Sequence, residues 1–275
     1  MIDIELFLRT STKMTQKRLP VLFVGHGSPM LALQDNELTQ AFGKTGEKIL
    51  STFERPKAIL AISAHWYTSV SLVNDSEKPE QIYDMYGFPD ELYQLRYEPA
   101  GSPAVAKRVE DLLGDKVKVD NTWGIDHGTW TVLHHMFPKA DIPVLQLSIN
   151  GNLSPEEHYA LGQKLNTLRD EGVLILGSGN IVHNLWRIEH ANASGTPMAF
   201  AFNDRVVDAI KARNDDLVVN YRQIPFSQYA VPTPDHYLPL LYVLGAADKS
   251  EKAYIFNNTC TLGSLAMTCF VFGMA

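Results

Sequence analysis

Five histidines stand beside apolar or turn-forming segments, which is where α/β enzymes carry their catalytic groups. Neutral imidazole is the commonest protein ligand for zinc and non-haem iron, and it exchanges protons near neutral pH. The set therefore predicts a mononuclear metal site with proton-transfer groups beside it. Its members are His26, His65, His127, His183 and His236.

The elements that must position these histidines alternate along the chain. Apolar, β-branched runs predict buried strands, and stretches with helical periodicity lie between them. This order predicts an α/β protein of one domain, with a central mostly parallel or mixed sheet and helices on both faces. The predicted strands are 20–24, 58–63, 143–149, 173–177 and 262–272. The predicted helices follow Ser102-Pro103 and Ser154-Pro155 and cover 200–213 and 236–247.

Three of the histidines lie where strands of such a sheet end. His26 comes two residues after strand 20–24, His65 two after 58–63, and His183 six after 173–177. Ligands of open α/β sheets gather at the carboxyl ends of the strands. We therefore expect these three side chains to share one site.

His26 lies in the turn Gly25-His26-Gly27-Ser28-Pro29. This turn lacks the lysine and spacing of a P-loop and the G-x-G-x-x-G of a dinucleotide site. His26 is therefore predicted to be a metal ligand on a tight turn, and His65 has the same placement.

The other two candidates lie in loops with a neighbouring acid. His127 follows Asp126 and is suited to proton transfer. His236 follows Asp235, which could orient the ring or act as a carboxylate ligand. For His183 two roles stay open, a fourth metal ligand or a general acid/base. No role is predicted for the remaining histidines, which are His134, His135, His158 and His190.

All four tryptophans lie within four residues of a candidate histidine. An aromatic-lined pocket for a flat substrate would explain this placement, and so would four ordinary core anchors. Both interpretations stay open on the sequence alone. The residues are Trp66, Trp123, Trp130 and Trp186.

Several function classes are disfavoured. The formal charge of −7 argues against nucleic acid or an anionic membrane as a main partner. The chain has no G-x-S-x-G, H-E-x-x-H or deaminase H-x-E…C-x-x-C signature, which disfavours serine hydrolases and the common zinc proteases and deaminases. No apolar run is long enough for a membrane span, and the N-terminus makes a poor signal peptide, so we expect a cytoplasmic protein. Cys260 and Cys269 are expected to be buried and reduced.

The motifs together resemble the class III extradiol ring-cleaving dioxygenases, the LigB-like superfamily, and within it the 4,5-DOPA extradiol dioxygenase branch. The resemblance spans about 18–273, so we predict a catalytic domain over 19–275 and a flexible N-terminal extension over 1–18, within which Met14 could be the physiological start. The matching segments are Gly25-His26-Gly27-Ser28-Pro29, Ser63-Ala64-His65-Trp66, Gly124-Ile125-Asp126-His127-Gly128, Gly177-Ser178-Gly179-Asn180 with His183-Asn184, and Pro234-Asp235-His236-Tyr237.

The resemblance implies a function and a division of roles. His26, His65 and His236 would hold the metal, with His183 close enough to count as a ligand. His127 and His183 would serve the substrate and its protons. The reaction would open the ring of a catechol such as L-DOPA with O₂, giving a muconic semialdehyde. Fe(II) is expected for this chemistry, although a set of histidines without a carboxylate also suits Zn²⁺.

Two other functions compete with this one. A zinc-dependent hydrolase or lyase could use the same histidines with metal-activated water, and it would need no O₂. A binding protein could keep the fold and pocket without catalysis. The natural catechol, the residues that bind its side chain and the oligomeric state are not readable from the sequence.

Overall fold

The structure is a computed structural model that describes residues 18–274. The strands are β1 Val21–Gly25, β2 Ala58–Thr68, β3 Ser71–Val73, β4 Val117–Val119, β5 Val144–Asn150, β6 Val173–Gly179, β7 Ala253–Phe256, β8 Cys260–Thr261, β9 Leu265–Ala266 and β10 Cys269–Phe272. The helices are α1 Glu37–Thr52, α2 Asp90–Gln94, α3 Pro103–Leu113, α4 His127–Met136, α5 Pro155–Leu165, α6 Pro197–Lys211, α7 Asp215–Val219, α8 Ser227–Ala230 and α9 Leu238–Ala246.

Eight strands form one mixed sheet in the order β4-β3-β5-β2-β6-β1-β10-β7. Its centre is parallel, because β2 pairs with β5 and β6 in parallel and β6 pairs with β1 in parallel. Antiparallel strands flank this centre: β10 pairs with β1 on one side and β3 with β5 on the other. The predicted mixed sheet is therefore confirmed, and the carboxyl ends of β1, β2, β5 and β6 meet along one edge.

Helices cover both faces of the sheet, as predicted. Successive strand residues point to opposite faces, so Leu60 packs in one apolar cluster with α3, α5, α6 and α9. Its neighbour Ile59 packs in a second cluster with α1 and α4. The central strands are buried on both sides, which explains their continuous apolar runs.

The helix starts follow local capping chemistry. At α5, the Ser154 hydroxyl accepts from the Glu157 N–H and the Glu157 carboxylate accepts from the Ser154 N–H, so the predicted cap and the following Pro155 are confirmed. Helix α1 begins with the equivalent exchange between Asn36 and Thr39. α9 has no polar face and is buried along its whole length, because it packs against β6 and α5.

Two predicted strands have different bounds in the structure. β2 runs on to Thr68, so His65 lies inside the strand and not two residues after it. Its pairing with β6 ends at Ser63, and its register with β5 shifts between Ile62 and Tyr67. This irregularity falls on the segment that carries His65, near the carboxyl end of the strand.

The predicted strand 262–272 is wrong as a single element. Leu262 and Gly263 have positive φ angles of 50° and 77°, which make a turn. β9 then pairs with β8 in a separate two-stranded sheet, and only β10 joins the main sheet.

Within residues 18–274, every helix is too short or too polar to cross a bilayer. The predicted extension 1–18 and Met14 lie, except for Arg18, outside the described residues.

Candidate metal centre and active site

The five predicted histidines converge at the carboxyl ends of the parallel strands. The ring centre of His26 lies 4.9 Å from that of His65 and 5.2 Å from that of His236, and the last two are also 5.2 Å apart. His127 stands against His65 at 4.0 Å, and His183 stacks on His236 at 3.4 Å with the planes 5° apart. The five rings therefore form one cluster, although they come from separate strands, loops and one helix.

The ring nitrogens are close enough for metal binding. One ligand atom each from His26, His65 and His127 lie within 4.8 Å of one another, as do those of His183, Asp235 and His236. Which of these nitrogens can bind an ion depends on where each ring carries its proton.

The ring of His26 is held by Ser178. This serine follows the predicted strand 173–177 and lies inside β6 in the structure. The Ser178 hydroxyl donates to the carbonyl oxygen of Gly128 at 2.6 Å. Its oxygen therefore accepts from His26 Nδ1, 2.9 Å away, and the lone pair of that ring lies on Nε2. A Cβ at Gly128 would come within 3.1 Å of the His26 ring, which explains the glycine of the Asp-His-Gly motif.

His65 and His127 share one carboxylate. His65 Nδ1 lies 2.6 Å from Asp84 Oδ2, and His127 Nδ1 lies 3.0 Å from Asp84 Oδ1. The backbone N–H of His127 also donates to Oδ1, at 2.8 Å. A carboxylate only accepts hydrogen bonds, so both rings carry the proton on Nδ1 and leave the Nε2 lone pair free.

His236 has the same arrangement with its neighbour in the chain. Its Nδ1 is hydrogen-bonded to Asp235 Oδ2. Of the two roles left open for Asp235, this hydrogen bond favours the orienting one. The Nδ1–H of a ligand histidine is commonly fixed by such an acceptor, which aims Nε2 at the metal.

His183 differs from the other four. Among the described residues, none makes a hydrogen bond to its ring, which is held by stacking on His236. Its backbone is fixed, because its N–H donates to the carbonyl oxygen of Ala230 and its residue forms a bridge with Leu265. His183 is therefore the candidate whose proton is free to move between the two ring nitrogens.

Burial favours the neutral form of most of these rings. It lowers the pKa of His26 well below its usual value, and the charges of the neighbouring histidines lower it further. Burial and the charge of His236 lower the pKa of His183 to about 2. The pKa of His236 is also lowered, because burial outweighs the hydrogen bond to Asp235.

The shared carboxylate changes the balance at the other two rings. Burial lowers the pKa of His65, but the hydrogen bond to Asp84 and the charges of Asp126 and Asp84 outweigh it, so the net shift is upward. At His127 burial prevails over the Asp84 hydrogen bond, and the pKa is lowered. Burial raises the pKa of Asp84, yet the hydrogen bonds from His127 and His65 bring it well below its usual range.

A second buried carboxylate, Asp126, fixes the start of α4. It caps the helix by accepting from the Thr129 N–H at 3.2 Å, and it also accepts from Ser63 Oγ at 2.7 Å and Gln146 Nε2 at 2.8 Å. His127 is thus the first residue of a helix and not a loop residue as predicted. The helix start gives the ring a fixed position beside β2.

An open cavity of about 620 Å³ leads to the histidines. Of the tryptophans, Trp123 lines it and donates to Asp126 Oδ2 at 3.1 Å. Trp66 and Trp130 are buried, whereas Trp186 is 78% exposed. Of the two interpretations left open for the tryptophans, the pocket therefore holds for Trp123 and the core anchor for Trp66 and Trp130. The other lining residues are Ala64, His65, Tyr67, Asp84, Thr233, Pro234, Asp235 and His236.

The donor set fits a metal ion. Three imidazoles that share one ion through metal–nitrogen bonds of about 2.1 Å have ring centres about 5 Å apart. The triangle of His26, His65 and His236 has sides of 4.9, 5.2 and 5.2 Å. The triangle with His127 in place of His236 is less even, with sides of 4.9, 4.0 and 5.9 Å.

Comparison with known proteins places the fold and the histidine cluster in a family. Residues 20–267 match the family described as the catalytic LigB subunit of aromatic ring-opening dioxygenase. The chain belongs to the LigB family. It is an oxidoreductase of the extradiol ring-opening dioxygenase class, as the sequence motifs predicted.

Individual relatives of this LigB chain cover nearly its whole length. A 4,5-DOPA dioxygenase extradiol of Escherichia coli K12 is 44% identical over 92% of this chain and 94% of its own. One of Beta vulgaris is 40% identical over 91% and 95%. A solved structure of an uncharacterized Escherichia coli K12 protein has a TM-score of 0.81 at 40% identity, and covers 93% of this chain and 100% of its own.

Three residues of the LigB site had no role assigned from the sequence. Asp84 lies 19 residues from His65 and 43 from His127, so no local pattern connects them. Asp126 was noted only as a neighbour of His127. Ser178 stands in the Gly177-Ser178-Gly179 motif, and its place at the end of a predicted strand was the available signal. The four histidines without a predicted role, including His158, lie outside the five-ring cluster.

Proposed function

We propose that this chain opens the ring of a catechol such as L-DOPA with O₂ to give a muconic semialdehyde, at an Fe(II) ion held by His26, His65 and His236. The observation that carries the proposal is the even triangle of three rings, each with its Nδ1–H bonded to an acceptor. These bonds leave three Nε2 lone pairs for one ion. When bound, the iron supplies the site where catechol and O₂ meet and the electron transfer that makes them react.

His183 is proposed as the group that handles the substrate's protons. Its ring stacks on that of His236, and neither of its nitrogens is fixed by a hydrogen bond within residues 18–274. A neutral ring can accept a proton from a catechol hydroxyl and return it as the ring opens. Such general acid/base help is typically worth ~10²–10⁴ in rate. His183 lies against His236, so it is also the candidate for a fourth ligand.

His127 is proposed as the second acid/base. Asp84 holds its Nδ1–H, which orients the ring and leaves Nε2 able to accept a proton. Its ring centre lies 4.0 Å from that of His65, whereas His183 stacks on His236. Two proton-transfer groups, each beside a different proposed ligand, suit a diol with two hydroxyl groups.

The charged residues that line the cavity suggest which side chain the catechol substrate carries. Two carboxylates, Asp84 and Asp235, line it, and the described lining residues include no lysine or arginine. An ammonium group on the substrate would be attracted to this wall, whereas a lone carboxylate would be repelled. We therefore propose a catechol whose side chain carries an amine, which L-DOPA satisfies.

The decisive experiment is anaerobic reconstitution with Fe(II), followed by L-DOPA and air, with a zinc-loaded sample alongside. Stoichiometric O₂ uptake and a yellow semialdehyde in the iron sample alone would support the proposal. If iron-loaded protein consumes no O₂ with L-DOPA or a panel of catechols, the proposal fails. Turnover in the zinc sample without O₂ would identify a hydrolase or lyase.

The side-chain charge is tested with three catechols of similar length. Dopamine, L-DOPA and 3-(3,4-dihydroxyphenyl)propionate carry an amine, both groups and a carboxylate. We expect kcat/KM to be about tenfold higher for dopamine than for the propionate, with L-DOPA between them. A preference for the propionate would contradict the proposed amine recognition and leave ring cleavage untouched.

A further inference from the structure

We infer that Asp84 is a positioning residue that sets the proton positions of two site histidines at once, so that one carboxylate prepares His65 for the metal and His127 for proton transfer. The inference rests on the proposed function, in which those two rings have those roles. It begins from three hydrogen bonds that meet on the side chain of Asp84, which is 10% exposed.

The segment before Asp84 is anchored in a way that fixes its distance from His127. Gln81 and Ile125 form a parallel bridge, and the Ile82 N–H donates to the Ile125 carbonyl oxygen at 3.0 Å. The Ile82 carbonyl oxygen accepts from Trp130 Nε1, also at 3.0 Å. Asp84 and His127 follow the two bridged segments by three and two residues, so the bridge keeps them close together.

The two carboxylate oxygens of Asp84 accept hydrogen bonds from different donors. Oδ1 accepts from the backbone N–H of His127 at 2.8 Å and from its Nδ1 at 3.0 Å. Oδ2 accepts from His65 Nδ1 at 2.6 Å. The backbone N–H cannot change its proton, so the atom at the Oδ1 position must be an acceptor. The imidazole facing Oδ2 can change its tautomer.

This asymmetry predicts a specific outcome for Asp84→Asn. The amide has one carbonyl oxygen and one NH₂ group, and the backbone N–H of His127 selects the oxygen for the Oδ1 position. The NH₂ group then faces His65 Nδ1, which must offer a lone pair and move its proton to Nε2. His65 would lose the lone pair that binds the metal, whereas His127 would keep its Nδ1–H.

The test uses the metal-free full-length protein at a pH where nitrogen-15 NMR shows both rings in the neutral form. Nitrogen-15 NMR of the histidine side chains reports which nitrogen carries the proton, and zinc titration reports affinity without any turnover. In the parent protein we expect Nδ1–H at both His65 and His127. In Asp84→Asn we expect Nε2–H at His65 alone, with zinc affinity lower by about 10–100-fold.

Two further variants bracket this result. Asp84→Glu keeps both acceptor oxygens and should restore Nδ1–H at His65 and most of the zinc affinity. Asp141→Asn makes the same chemical change at an exposed acid paired with Arg55, and it should change neither readout.

Two outcomes would overturn the inference. One is a folded Asp84→Asn protein that keeps Nδ1–H at His65 and zinc affinity within about twofold of the parent. The other is an Nε2–H proton on His65 or His127 in the parent protein, a result that does not require the variant to fold. Both are independent of ring cleavage, so they are distinguishable from a failure of the proposed function.

Discussion

Buried histidines occur at two places in this molecule, and they have opposite surroundings. Five rings meet at the carboxyl ends of the parallel strands. His158, on α5, is fully buried against Tyr242 of α9, with the ring centres 5.3 Å apart. Burial lowers the pKa in both places, to about 4 at His158 and to about 2 at His183. A low pKa therefore does not distinguish a site from a core.

The hydrogen bonds distinguish the two places. Four of the site rings give their Nδ1–H to an acceptor, namely Ser178, Asp84 or Asp235. At His158, Nδ1 lies 3.1 Å from the Tyr242 hydroxyl, and Nε2 is buried with no partner among the described residues. In the site several rings with their Nε2 lone pairs free lie close together, while in the core a single ring packs beside a tyrosine.

The two places therefore differ in the acceptors that bind the Nδ1–H of each ring, and these acceptors decide whether a cluster of histidines can bind a metal ion. Carboxylates and a hydroxyl bind the Nδ1 protons of four rings, so the Nε2 lone pairs of these rings stay available to a cation. Without these acceptors, no group would fix the proton on Nδ1, and each ring could carry it on Nε2.

The largest expected effect comes from removing a ligand. His236→Ala should lose the metal on purification and essentially all ring cleavage, because it removes one of three Nε2 donors. His127→Ala should keep the metal, measured by elemental analysis. The matched control is His158→Asn, which should keep metal and activity although a buried histidine is lost. Metal loss in His127→Ala with retention in His236→Ala would replace the proposed ligand set with His26, His65 and His127.

Removing the proton-transfer group should have the next largest effect. His183→Ala is expected to keep the metal and to lower kcat by ~10²–10⁴. Stopped-flow and steady-state O₂ uptake with an iron-loaded sample measure this change. A parental rate would show that His183 has no such role, and loss of the metal would make it a fourth ligand.

A smaller effect is expected from removing the hydroxyl group that binds the His26 ring. Ser178→Ala removes the oxygen that accepts from His26 Nδ1–H, and the ring then has no reason to keep its proton there. We expect metal affinity to fall by about tenfold, at the lower end of such effects. Ser51→Ala, which removes a hydroxyl that is bonded only to its own helix, is the control. Unchanged affinity in Ser178→Ala would show that the groups behind the rings matter less than the comparison suggests.

The sequence predicted the centre of the fold well because that part is simple. The core strands are buried on both faces, so their residues read as apolar runs, and the cap at Ser154 is a local pattern. Helix α1 was not predicted, since its sequence contains two glycines and few apolar residues and its capping partner at the third position is Thr39 in place of Glu or Gln. The extension of β2 to Thr68 depends on pairing with β5, which no local pattern shows.

The candidate site divides in the same way. The histidines were readable because each follows a strand or stands in a short motif. Asp84 was not readable, because it reaches His65 and His127 only through the bridge between Gln81 and Ile125. Residues that lie far apart in the chain form no local sequence pattern, so the sequence predicted the clustered histidines and missed the carboxylate that binds two of them.

The core histidine gives a prediction about stability and not about activity. The pKa of His158 is about 4 in the folded protein because burial disfavours the charged ring, against an ordinary value of 6.5. The unfolded chain therefore binds the proton first, so stability is full above about pH 6.5 and decreases as the pH falls to about 4, by about 3 kcal/mol. His158→Asn keeps an acceptor for the Tyr242 hydroxyl and cannot titrate in this range. Urea unfolding of the zinc-loaded protein between these pH values should show a shallower loss of stability in the variant. Equal slopes would mean that the core ring is protonated without cost, and the contrast between the two regions would then rest on the site alone.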